Sequence, residues 1–451
     1  MGRLFGTDGI RGVANRHPMT AEMAMKVGRA ITCISRRKGH TPRILIGHDT
    51  RLSGYLLENA LVAGILSMGG DALLVGTMPT PGVSYLARSM RADAGIVISA
   101  SHNPYQDNGI KIFSRDGFKL PDEKEDEIEA LLSRDDLAGL HPDPSVIGKA
   151  YRFDDAAGRY IVFLKNSFPA EYSLEGMKIV LDCSNGATYR IAPETFFELG
   201  AEVVSLFTEP DGRNINRDCG SQHPETLAAE VVRRGASAGF AFDGDGDRVI
   251  AVDEQGGILT GDQMMTVCAA AMKKQGRLKG GLVVSTVMSN IGFKLAVRDL
   301  GIRTVTADVG DRYVLKEMLE HGAVLGGEDS GHLIFLDHHT TGDGIVSAIQ
   351  LLAAMQFEGK PLSELAKIMK IYPQKLVNVD VASKPDIDTI PEVVSVIREV
   401  ERELGDGGRV LVRYSGTQQM CRVMVEAPSA EQTEACCKRI ADVVSMKIGK
   451  R

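Results

Sequence analysis

An alternation of short apolar strands, polar loops and helices runs through most of this chain, and it limits the possible folds more than any other feature. In its first instance an apolar strand at 43–47 leads into the polar loop 48–54 and then a helix at 55–68. Strands that alternate with helices predict βαβ units and a mainly parallel sheet. The alternation restarts at residue 178 and again at residue 282. Since the three instances share little letter-for-letter identity, it is the pattern that predicts three related α/β domains.

The part of the chain beyond Pro361 has a different order of elements. The spacing of its apolar residues predicts, in chain order, the strand 376–381, the helix 391–404, the strands 409–413 and 422–426 and the helix 430–446. This order fits a small α+β domain with an antiparallel sheet. A domain boundary is predicted at 133–150 because this stretch loses periodicity and contains two prolines. The predicted domains are 1–150, 151–253, 254–368 and 369–451.

Length, charge and cysteine content narrow the class of protein. A chain of 451 residues is too long for a single hydrophobic core. The formal net charge of −7 argues against nucleic acid or an anionic membrane as the main partner. No apolar run approaches the length of a membrane span, and the first residues do not form a signal peptide. The seven cysteines lack metal-ligand spacing, so reduced thiols and a cytoplasmic location are predicted.

The stretch 95–113 is the first candidate for chemistry. It is predicted to contain a buried strand, a polar loop with Ser101 and His102, and a second short strand. In α/β proteins reactive groups gather beyond the carboxyl ends of strands, and a hydroxyl nucleophile would lie in such a loop. An unreactive polar turn explains these residues equally well when the stretch is taken alone.

The sharpest chemical signal is a run of three aspartates, Asp243, Asp245 and Asp247, separated by glycines. Carboxylates at alternate positions of a turn can direct their oxygens at one hard cation, and Mg²⁺ prefers such an oxygen shell. A calcium-binding EF-hand loop is excluded because its sixth position should be glycine, whereas here it is Arg248. A solvated acidic turn is the remaining alternative, so the sequence favours a magnesium site.

Three further loops carry groups suited to a sugar phosphate. The loop 326–332 offers two acids, a hydroxyl and an imidazole that could bind a polyol, although a polar hairpin turn fits the same residues. The loop 413–417 and the nearby Arg422 offer two guanidinium groups, hydroxyls and a backbone amide, which together could clamp a phosphate. A surface loop is the alternative there. The N-terminal loop with Arg11 is another candidate anion site, with an ordinary ordered loop as its alternative.

Together these segments supply a hydroxyl nucleophile, a cation site, a polyol loop and a phosphate clamp. Phosphoryl transfer depends on positioning and charge neutralisation, which such a set of groups provides. The G-x-S-x-G elbow of α/β-hydrolases is absent around Ser101, and no G-x-x-x-x-G-K-[ST] nucleotide loop occurs. The sequence therefore favours phosphoryl transfer over ester hydrolysis or an ATP-driven kinase.

At these residues the chain resembles the α-D-phosphohexomutase superfamily, and most of all its glucosamine branch. The four superfamily motifs occur in order along the chain: SASHNP at 99–104, DGDGDR at 243–248, GEDSGH at 327–332 and RYSGT at 413–417. The opening FGTDGIRG at 5–12 is what favours the glucosamine branch. The resemblance implies three α/β domains and a smaller C-terminal α+β domain around a central cleft.

The resemblance also implies a reaction. Ser101 would be active as phosphoserine and would donate its phosphoryl group to a hexosamine monophosphate. The resulting hexosamine 1,6-bisphosphate would turn over and rephosphorylate Ser101. One Mg²⁺ per chain would be held by Ser101 and the three aspartates. The reaction would interconvert glucosamine 6-phosphate and glucosamine 1-phosphate and supply UDP-N-acetylglucosamine and other amino-sugar precursors.

Further residues receive roles from the same resemblance. The groups for proton handling and charge stabilisation are Arg11, His102, Lys111 and His332, and the superfamily pattern leaves open which of them is the base. The residues implied to contact substrate are Arg248 beside the phosphoserine, Glu328 and Ser330 at the sugar hydroxyls, and Arg413, Ser415, Gly416, Thr417 and Arg422 at the non-reacting phosphate.

The chain departs from the superfamily pattern at two places. Gln418 and Gln419 follow the clamp where an acid and a proline are common, and Asp329 stands where Gln or Met is typical. A carboxylate at 329 would favour the C2 ammonium of glucosamine over a neutral hydroxyl by charge attraction. A phosphomannomutase/phosphoglucomutase with the same mechanism and a catalytically silent sugar-phosphate sensor are the alternative functions. The oligomeric state is open, with a homodimer as one alternative.

Overall fold

The computed structural model describes residues 4–6, 8–133, 144–415 and 418–450, which form two compact units. The first unit contains the chain up to Met288 together with 302–368, and the second contains 289–301 and the chain from Met369 onward. Three sheets lie in the first unit and a fourth in the second. The predicted class of several α/β regions followed by a smaller α+β region is confirmed. The boundaries of the four predicted domains stay predictions.

The first sheet has six strands. The elements of this region are β1 (Ile10–Val13), α1 (Ala21–Ile34), β2 (Arg43–His48), α2 (Ser53–Ser67), β3 (Asp71–Thr77), α3 (Thr80–Ser89), β4 (Ala94–Ile98), β5 (Asp107–Ser114), α4 (Asp122–Leu132) and β6 (Ala150–Arg152). The strand order in space is β1-β5-β4-β2-β3-β6. The strands β4, β2, β3 and β6 are parallel neighbours, whereas β5 pairs antiparallel with β4 and β1. The first sheet is therefore parallel at its centre with an antiparallel edge.

The second and third sheets also mix parallel and antiparallel pairs. The elements that build them are α5 (Ala156–Asn166), β7 (Lys178–Asp182), α6 (Ile191–Glu198), β8 (Glu202–Leu206), α7 (Glu225–Arg234), β9 (Ala238–Phe242), β10 (Val249–Asp253), β11 (Ile258–Leu259), α8 (Gly261–Lys274), β12 (Leu282–Thr286), β13 (Arg303–Ala307), α10 (Asp311–His321), β14 (Leu325–Gly327), β15 (Leu333–Phe335), α11 (Gly344–Glu358) and α12 (Leu362–Leu365). The strand orders are β11-β10-β9-β7-β8 and β13-β12-β14-β15. In both sheets the parallel strands end in polar loops.

The second unit is a small α+β fold. Its elements are α9 (Ile291–Asp299), β16 (Gln374–Asp380), α13 (Pro391–Leu404), β17 (Arg409–Tyr414), β18 (Met420–Glu426) and α14 (Ala430–Ile448). The sheet order is β16-β18-β17 with both pairs antiparallel, as predicted. Three valines and one leucine of α13 pack with the sheet and with α14 in one apolar core: Val393, Val396, Val400 and Leu404.

The strands that lead into the site loops are buried along their whole length. Every residue of β4 (AGIVI) and of β9 (AGFAF) is buried. Such continuous apolar runs are typical of strands that are covered on both faces of a largely parallel sheet. The polar residues that follow each strand therefore project from a rigid base.

Two other features bear on the class of protein. No helix in the described part of the chain is both long and apolar enough to cross a membrane. All seven cysteines lie in described residues and none of them forms a disulfide.

A buried carboxylate caps the helix that supports the aspartate run. Asp343 precedes α11, and its Oδ1 accepts the N–H groups of Ile345 and Val346 at 2.9 and 3.0 Å. Its Oδ2 accepts the Tyr160 hydroxyl at 2.7 Å. Burial raises the pKa of Asp343 to about 6, although these hydrogen bonds oppose the rise.

We expect Asp343→Asn to change how stability depends on pH. Because the folded-state pKa of about 6 lies above the ordinary value of 3.8, ionisation of Asp343 costs the fold about 3 kcal/mol above pH 6 and nothing below pH 4. The stability of the natural protein relative to the variant should therefore fall by roughly that amount as the pH rises from 4 to 7. Urea unfolding at both pH values measures the difference, and a pH-independent difference would contradict the prediction.

Candidate active site

Ser101 lies in the loop that follows β4 and has an unusual backbone. Its φ is +51°, a left-handed conformation that costs a non-glycine residue about 1–2 kcal/mol. The side chain is buried, and its Oγ donates to Asp243 Oδ2 at 2.5 Å and lies 3.3 Å from His102 Nδ1. A Cβ atom on Gly244 would lie 2.7 Å from the Ser101 carbonyl oxygen, so the two loops can approach this closely only with glycine there. The serine loop and the aspartate run thus meet at the Ser101 hydroxyl.

A buried charge pair holds the serine loop in this conformation. Arg51 is fully buried and donates to the carboxylate of Asp49 and to the carbonyl oxygens of Ser101 and Asn103. The Ser99 hydroxyl donates to Asp49 Oδ2 at 2.5 Å and accepts the Ser101 N–H at 3.0 Å. These bonds offset the cost of the left-handed backbone. The sequence analysis missed Asp49 and Arg51, although charged residues directly after a buried strand were the available signal.

A second contact to the serine loop comes from the region of the second sheet. Asn216 Nδ2 donates to the carbonyl oxygens of Ser101 and Asn103 at 2.9 and 3.0 Å. No periodicity or motif marked Asn216 in the sequence. The loop is therefore held from two separate parts of the chain.

The three aspartates form a buried cluster that fits a hard cation. Each of Asp243, Asp245 and Asp247 is at most 5% exposed, and one carboxylate oxygen from each lies within 4.8 Å of the others. Gly246 between them has φ +72°, which a side chain would strain. Asp245 Oδ1 is buried and accepts no hydrogen bond from a described residue. Burial, and then the charges of Asp247 and Asp245, raise the pKa of Asp243 well above its ordinary value. An oxygen-rich, negatively charged pocket with an unsatisfied oxygen is what Mg²⁺ requires.

Lys111 lies against this cluster. Its Nζ is 2.9 Å from Asp245 Oδ2, 3.3 Å from Asp247 Oδ2 and 3.1 Å from Asp8 Oδ2, and the residue is 2% exposed. Burial by itself lowers the pKa of Lys111, but the three carboxylates outweigh burial and raise this pKa well above its ordinary value. Lys111 is therefore an ammonium ion at neutral pH. Its place on β5, opposite Val97 of β4, directs it to the same loops.

Further charges continue the network on the side of β1. Arg11 donates to Asp8, and Lys119 donates to both Asp8 and Asp311. Burial acts to raise the pKa of Asp8, but Lys111, Lys119 and Arg11 hold it well below its usual range. The sequence analysis named Arg11 but missed Asp8, Lys119 and Asp311, because their pairing joins residues up to 192 positions apart.

The pKa values of the two histidines of the predicted site shift in opposite directions. Burial, followed by the positive charges of Arg248 and Arg11, lowers the pKa of His102 to about 4. His332 is 2% exposed, with Nδ1 3.8 Å from Asp247 Oδ1 and Nε2 3.6 Å from Asp311 Oδ2. Burial lowers the pKa of His332, but the carboxylates outweigh it and the net shift is upward. Near neutral pH His102 is thus an uncharged ring, and negative charge surrounds His332.

The predicted sugar loop is the turn of the β14–β15 hairpin. Glu328 Oε1 accepts the N–H of Gly310 at 3.0 Å, and Ser330 is exposed. Asp329 Oδ1 accepts the N–H of Asp262 at 3.3 Å, next to the start of α8. The Asp329 carboxylate therefore has a local structural partner, and its effect on sugar preference stays a prediction. The hairpin-turn alternative correctly describes the backbone here.

The predicted phosphate clamp lies in the second unit. Arg413 of β17 and Arg422 of β18 are direct partners in the antiparallel register, and the buried Nε–H of Arg422 donates to no described residue. Ser415 is 4% exposed, and its carbonyl oxygen accepts Lys384 Nζ at 2.6 Å. The sequence analysis did not include Lys384 in the clamp. Gly416 and Thr417 lie outside the described residues. Three cations in one small region favour an anion as the ligand.

Phosphoryl transfer is the chemistry that best matches these surroundings of Ser101, because it needs a positioned oxygen nucleophile and neutralisation of phosphate charge. The fold and the site thus define a phosphoryl-transfer enzyme of the α/β class. Family models of phosphoglucomutase/phosphomannomutase match the chain in four consecutive parts. The α/β/α domains I, II and III match residues 2–138, 158–257 and 260–372, and the C-terminal domain matches residues 376–443. The chain belongs to the phosphoglucomutase/phosphomannomutase family, which confirms the superfamily resemblance.

Comparison with individual proteins shows which members of the family this chain is similar to. The chain is 67% identical over 449 residues to the phosphoglucosamine mutase of Syntrophus aciditrophicus and 63% identical to that of Syntrophobacter fumaroxidans, each match covering 100% of both chains. Among solved structures, a phosphoglucomutase/phosphomannomutase family protein from Burkholderia thailandensis has a TM-score of 0.80 at 24% identity, covering 99% of each chain. The Aspergillus fumigatus N-acetylphosphoglucosamine mutase in complex with GlcNAc-6P and magnesium has a TM-score of 0.65 at 17% identity, covering 98% of this chain and 95% of that one. At these identities the solved structures support the fold.

Proposed function

We propose that this protein interconverts glucosamine 6-phosphate and glucosamine 1-phosphate. The observation that carries the proposal is the hydrogen bond from Ser101 Oγ to Asp243, at a buried point beside the aspartate cluster and Lys111. A serine hydroxyl in these surroundings is suited to accept and return a phosphoryl group. The choice of a hexosamine is supported by full-length relatives that are named phosphoglucosamine mutase.

In this proposal the resting enzyme carries a phosphoryl group on Ser101 Oγ. The C1 hydroxyl of glucosamine 6-phosphate attacks the phosphorus, the bond to Ser101 Oγ breaks, and the hydroxyl proton passes to the protein. The product of this step is a 1,6-bisphosphate. After it reorients, Ser101 Oγ attacks the phosphorus at C6, and the C6 oxygen leaves with a proton. Glucosamine 1-phosphate is released, and no phosphate is gained or lost over the cycle.

The protein's own groups have distinct tasks in this cycle. Lys111, Arg11 and Arg248 supply positive charge that opposes the negative charge of the transferring group. His102 Nδ1, 3.3 Å from Ser101 Oγ, is the ring nitrogen placed to hold a proton at the oxygen that changes its bonds. His332 supports Asp247. We assign Glu328 and Ser330 to the sugar hydroxyls, and the Arg413, Ser415, Gly416, Thr417 and Arg422 region to the phosphate that does not react.

The residues proposed to hold one Mg²⁺ are Ser101, Asp243, Asp245 and Asp247. When bound, the ion would neutralise charge on the phosphoryl group during transfer. Support comes from the close approach of the three carboxylates and from the unsatisfied, buried oxygen of Asp245.

The proposal extends to the cellular setting. The product would supply UDP-N-acetylglucosamine synthesis, in a cytoplasm that keeps the seven cysteines reduced. Two assemblies are considered, a homodimer and a monomer. Sedimentation equilibrium measures the molar mass in solution and distinguishes between them.

A coupled assay of the phosphorylated enzyme tests the substrate. Glucosamine, glucose and mannose 6-phosphates are compared side by side, and we expect the highest kcat/KM for glucosamine 6-phosphate. A higher value for either neutral sugar would replace this proposal with a phosphomannomutase/phosphoglucomutase, the activity for which the matching family is named. A complete lack of turnover with all three sugars would favour a silent sensor.

We expect Arg422→Gln to raise the KM for the sugar phosphate by about 10- to 100-fold, because a guanidinium contact to phosphate contributes about 1.5–3 kcal/mol. Since the non-reacting phosphate is bound in the ground state and the transition state alike, kcat should change much less. Steady-state kinetics measure both constants. Lys438→Gln, at an exposed position of α14, is the control and should change neither. A drop confined to kcat would contradict the assignment of Arg422 to ground-state phosphate binding.

A further inference from the structure

A cavity of about 390 Å³ lies in the first unit beside the loops of the active site. His48, Thr77 and Arg152, which line it, are the last residues of the parallel strands β2, β3 and β6. Tyr189 and Arg190, directly before α6, also line it. Among the described residues none that we assign to catalysis, metal or substrate lines this cavity. In α/β sheets ligands bind beyond the carboxyl ends of parallel strands, so the position is one where a ligand is expected.

We propose that this cavity is a second small-molecule site, which binds an organic phosphate. The ligand class is a phosphate ester of a hydroxylated ring, as found in sugar phosphates and nucleoside phosphates. The proposal does not depend on the mutase reaction, because it concerns residues outside that site.

Two arginines provide the phosphate-binding groups. Arg152 and Arg190 both line the cavity, and the side chain of neither forms a hydrogen bond or ion pair with a described residue. Arg190 lies over the ring of Tyr189, with its Cζ 5.1 Å from the ring centroid. A guanidinium group that has no carboxylate partner is available for bidentate binding of phosphate.

The rest of the lining favours an organic ligand over a bare anion. Glu58 and Asp154 balance the two arginines, so the charged lining side chains are two positive and two negative. Their carboxylates would repel a small inorganic anion but accept hydrogen bonds from ring hydroxyls. Tyr55, which is 60% exposed, offers a ring face to a sugar or a base. The volume of about 390 Å³ is in the range of small-ligand sites.

The cavity is joined to the serine loop through a short chain of hydrogen bonds. His48 Nδ1 donates to the carbonyl oxygen of Asp49 at 2.6 Å. The carboxylate of Asp49 accepts the Ser99 hydroxyl, and the same hydroxyl oxygen accepts the N–H of Ser101. A ligand that contacts His48 would therefore lie next to Asp49, whose carboxylate helps to hold the loop of Ser101.

The chain contains no tryptophan, which allows a direct binding test. Tyr189→Trp places a single fluorescent reporter in the cavity, and a tryptophan retains the ring under Arg190. The full-length reporter protein is titrated with AMP, glucosamine 6-phosphate and inorganic phosphate. We expect a saturable fluorescence change with AMP, with glucosamine 6-phosphate or with both, which identifies the nucleoside or the sugar ester as the ligand.

The control carries Arg152→Gln and Arg190→Gln in the reporter background. We expect it to bind the organic phosphate at least about tenfold more weakly, since two charge-assisted contacts are lost. A response that persists in this control would arise from ligand at the active site and would overturn the proposal. Equal affinity for inorganic phosphate would show an adventitious ion only, and the absence of a saturable change with either ester would also overturn it. Circular dichroism checks that both proteins are folded.

Discussion

Ser101→Ala is expected to lower the kcat for glucosamine 6-phosphate by on the order of 10⁴-fold or more, the scale seen when an enzyme loses its nucleophile. The physical reason is that the alanine has no oxygen to carry the phosphoryl group between the two ends of the sugar. Fold stability should change little in comparison, because the loop is held through the backbone carbonyl and N–H of residue 101. Steady-state kinetics and intact-protein mass spectrometry measure the two consequences. The natural protein purified from cells should show a fraction heavier by one phosphoryl group, and the variant should show none.

Ser99→Ala is the matched control for this experiment. It removes a hydroxyl two residues away that positions the loop through Asp49 and the Ser101 N–H. We expect it to retain the phosphorylated fraction and to lose activity only partly, since a lost buried hydrogen bond costs about 1–3 kcal/mol. If Ser101→Ala retained the phosphoryl group while Ser99→Ala lost it, Ser101 would not be the residue that carries it.

Lys111→Met is expected to lower the free energy of unfolding by about 3–5 kcal/mol in metal-free buffer, because it leaves buried carboxylates without their shared counter-charge. The carboxylates concerned belong to Asp8, Asp245 and Asp247, all within 3.3 Å of the ammonium group. Urea denaturation measures the change. Methionine fills a similar volume, so the loss reports charge more than packing.

Lys124→Met provides the comparison for Lys111→Met. Lys124 makes an ion pair with Glu127 at 2.8 Å, but both side chains are almost half exposed. An exposed pair contributes about 0–1 kcal/mol, so this variant should differ little from the natural protein. If the two variants lost the same small amount, the carboxylates around Lys111 would not be charged in the fold.

The elements of the fold were largely predictable because apolar runs end at clear polar loops. The predicted strand at 43–47 corresponds to β2, and the apolar run 238–242, which the sequence also predicts as a strand, corresponds to β9; both are confirmed to within one residue. The sequence also predicts a helix at 82–90, directly after Pro79 and Pro81. In the structure α3 begins earlier, at Thr80, because proline is compatible with the first turn of a helix and Pro81 lies there.

The helix predicted at 290–300 shows what a repeat pattern cannot specify. The repeat pattern predicts this helix in the third α/β domain, and the family model of domain III, which matches 260–372, includes α9; by its contacts, however, α9 groups with the second compact unit. Its first N–H, from Ile291, donates to Glu426 Oε2 at 2.8 Å, and Asn290 Nδ2 donates to the carbonyl oxygen of Tyr372 at 3.0 Å. These partners are far away in the sequence, so local spacing could not reveal them.

The motif residues of the active site were predictable, whereas the residues that hold them were not. The three aspartates stand in a short, unusual run that favours a metal site, and Ser101 became a candidate once this run and the other polar loops were considered with it. Asp49, Arg51 and Lys119 are single charged residues in ordinary loops, and their importance depends on burial and on distant partners. Burial of a charge is a property of the tertiary structure, and only the structure shows that these charges are paired.

Side chains from two separate regions of the chain hold the serine loop, and this limits how the protein can be cut into fragments. Arg51 reaches Ser101 from the first sheet region, but Asn216 reaches it from the second. A fragment that ends before residue 216 would keep Ser101 in its sequence and lose the two hydrogen bonds that Asn216 donates to the carbonyl oxygens of its loop. The conformation of the serine loop thus depends on two regions of the chain, and a variant of either region that removes Arg51 or Asn216 would weaken it.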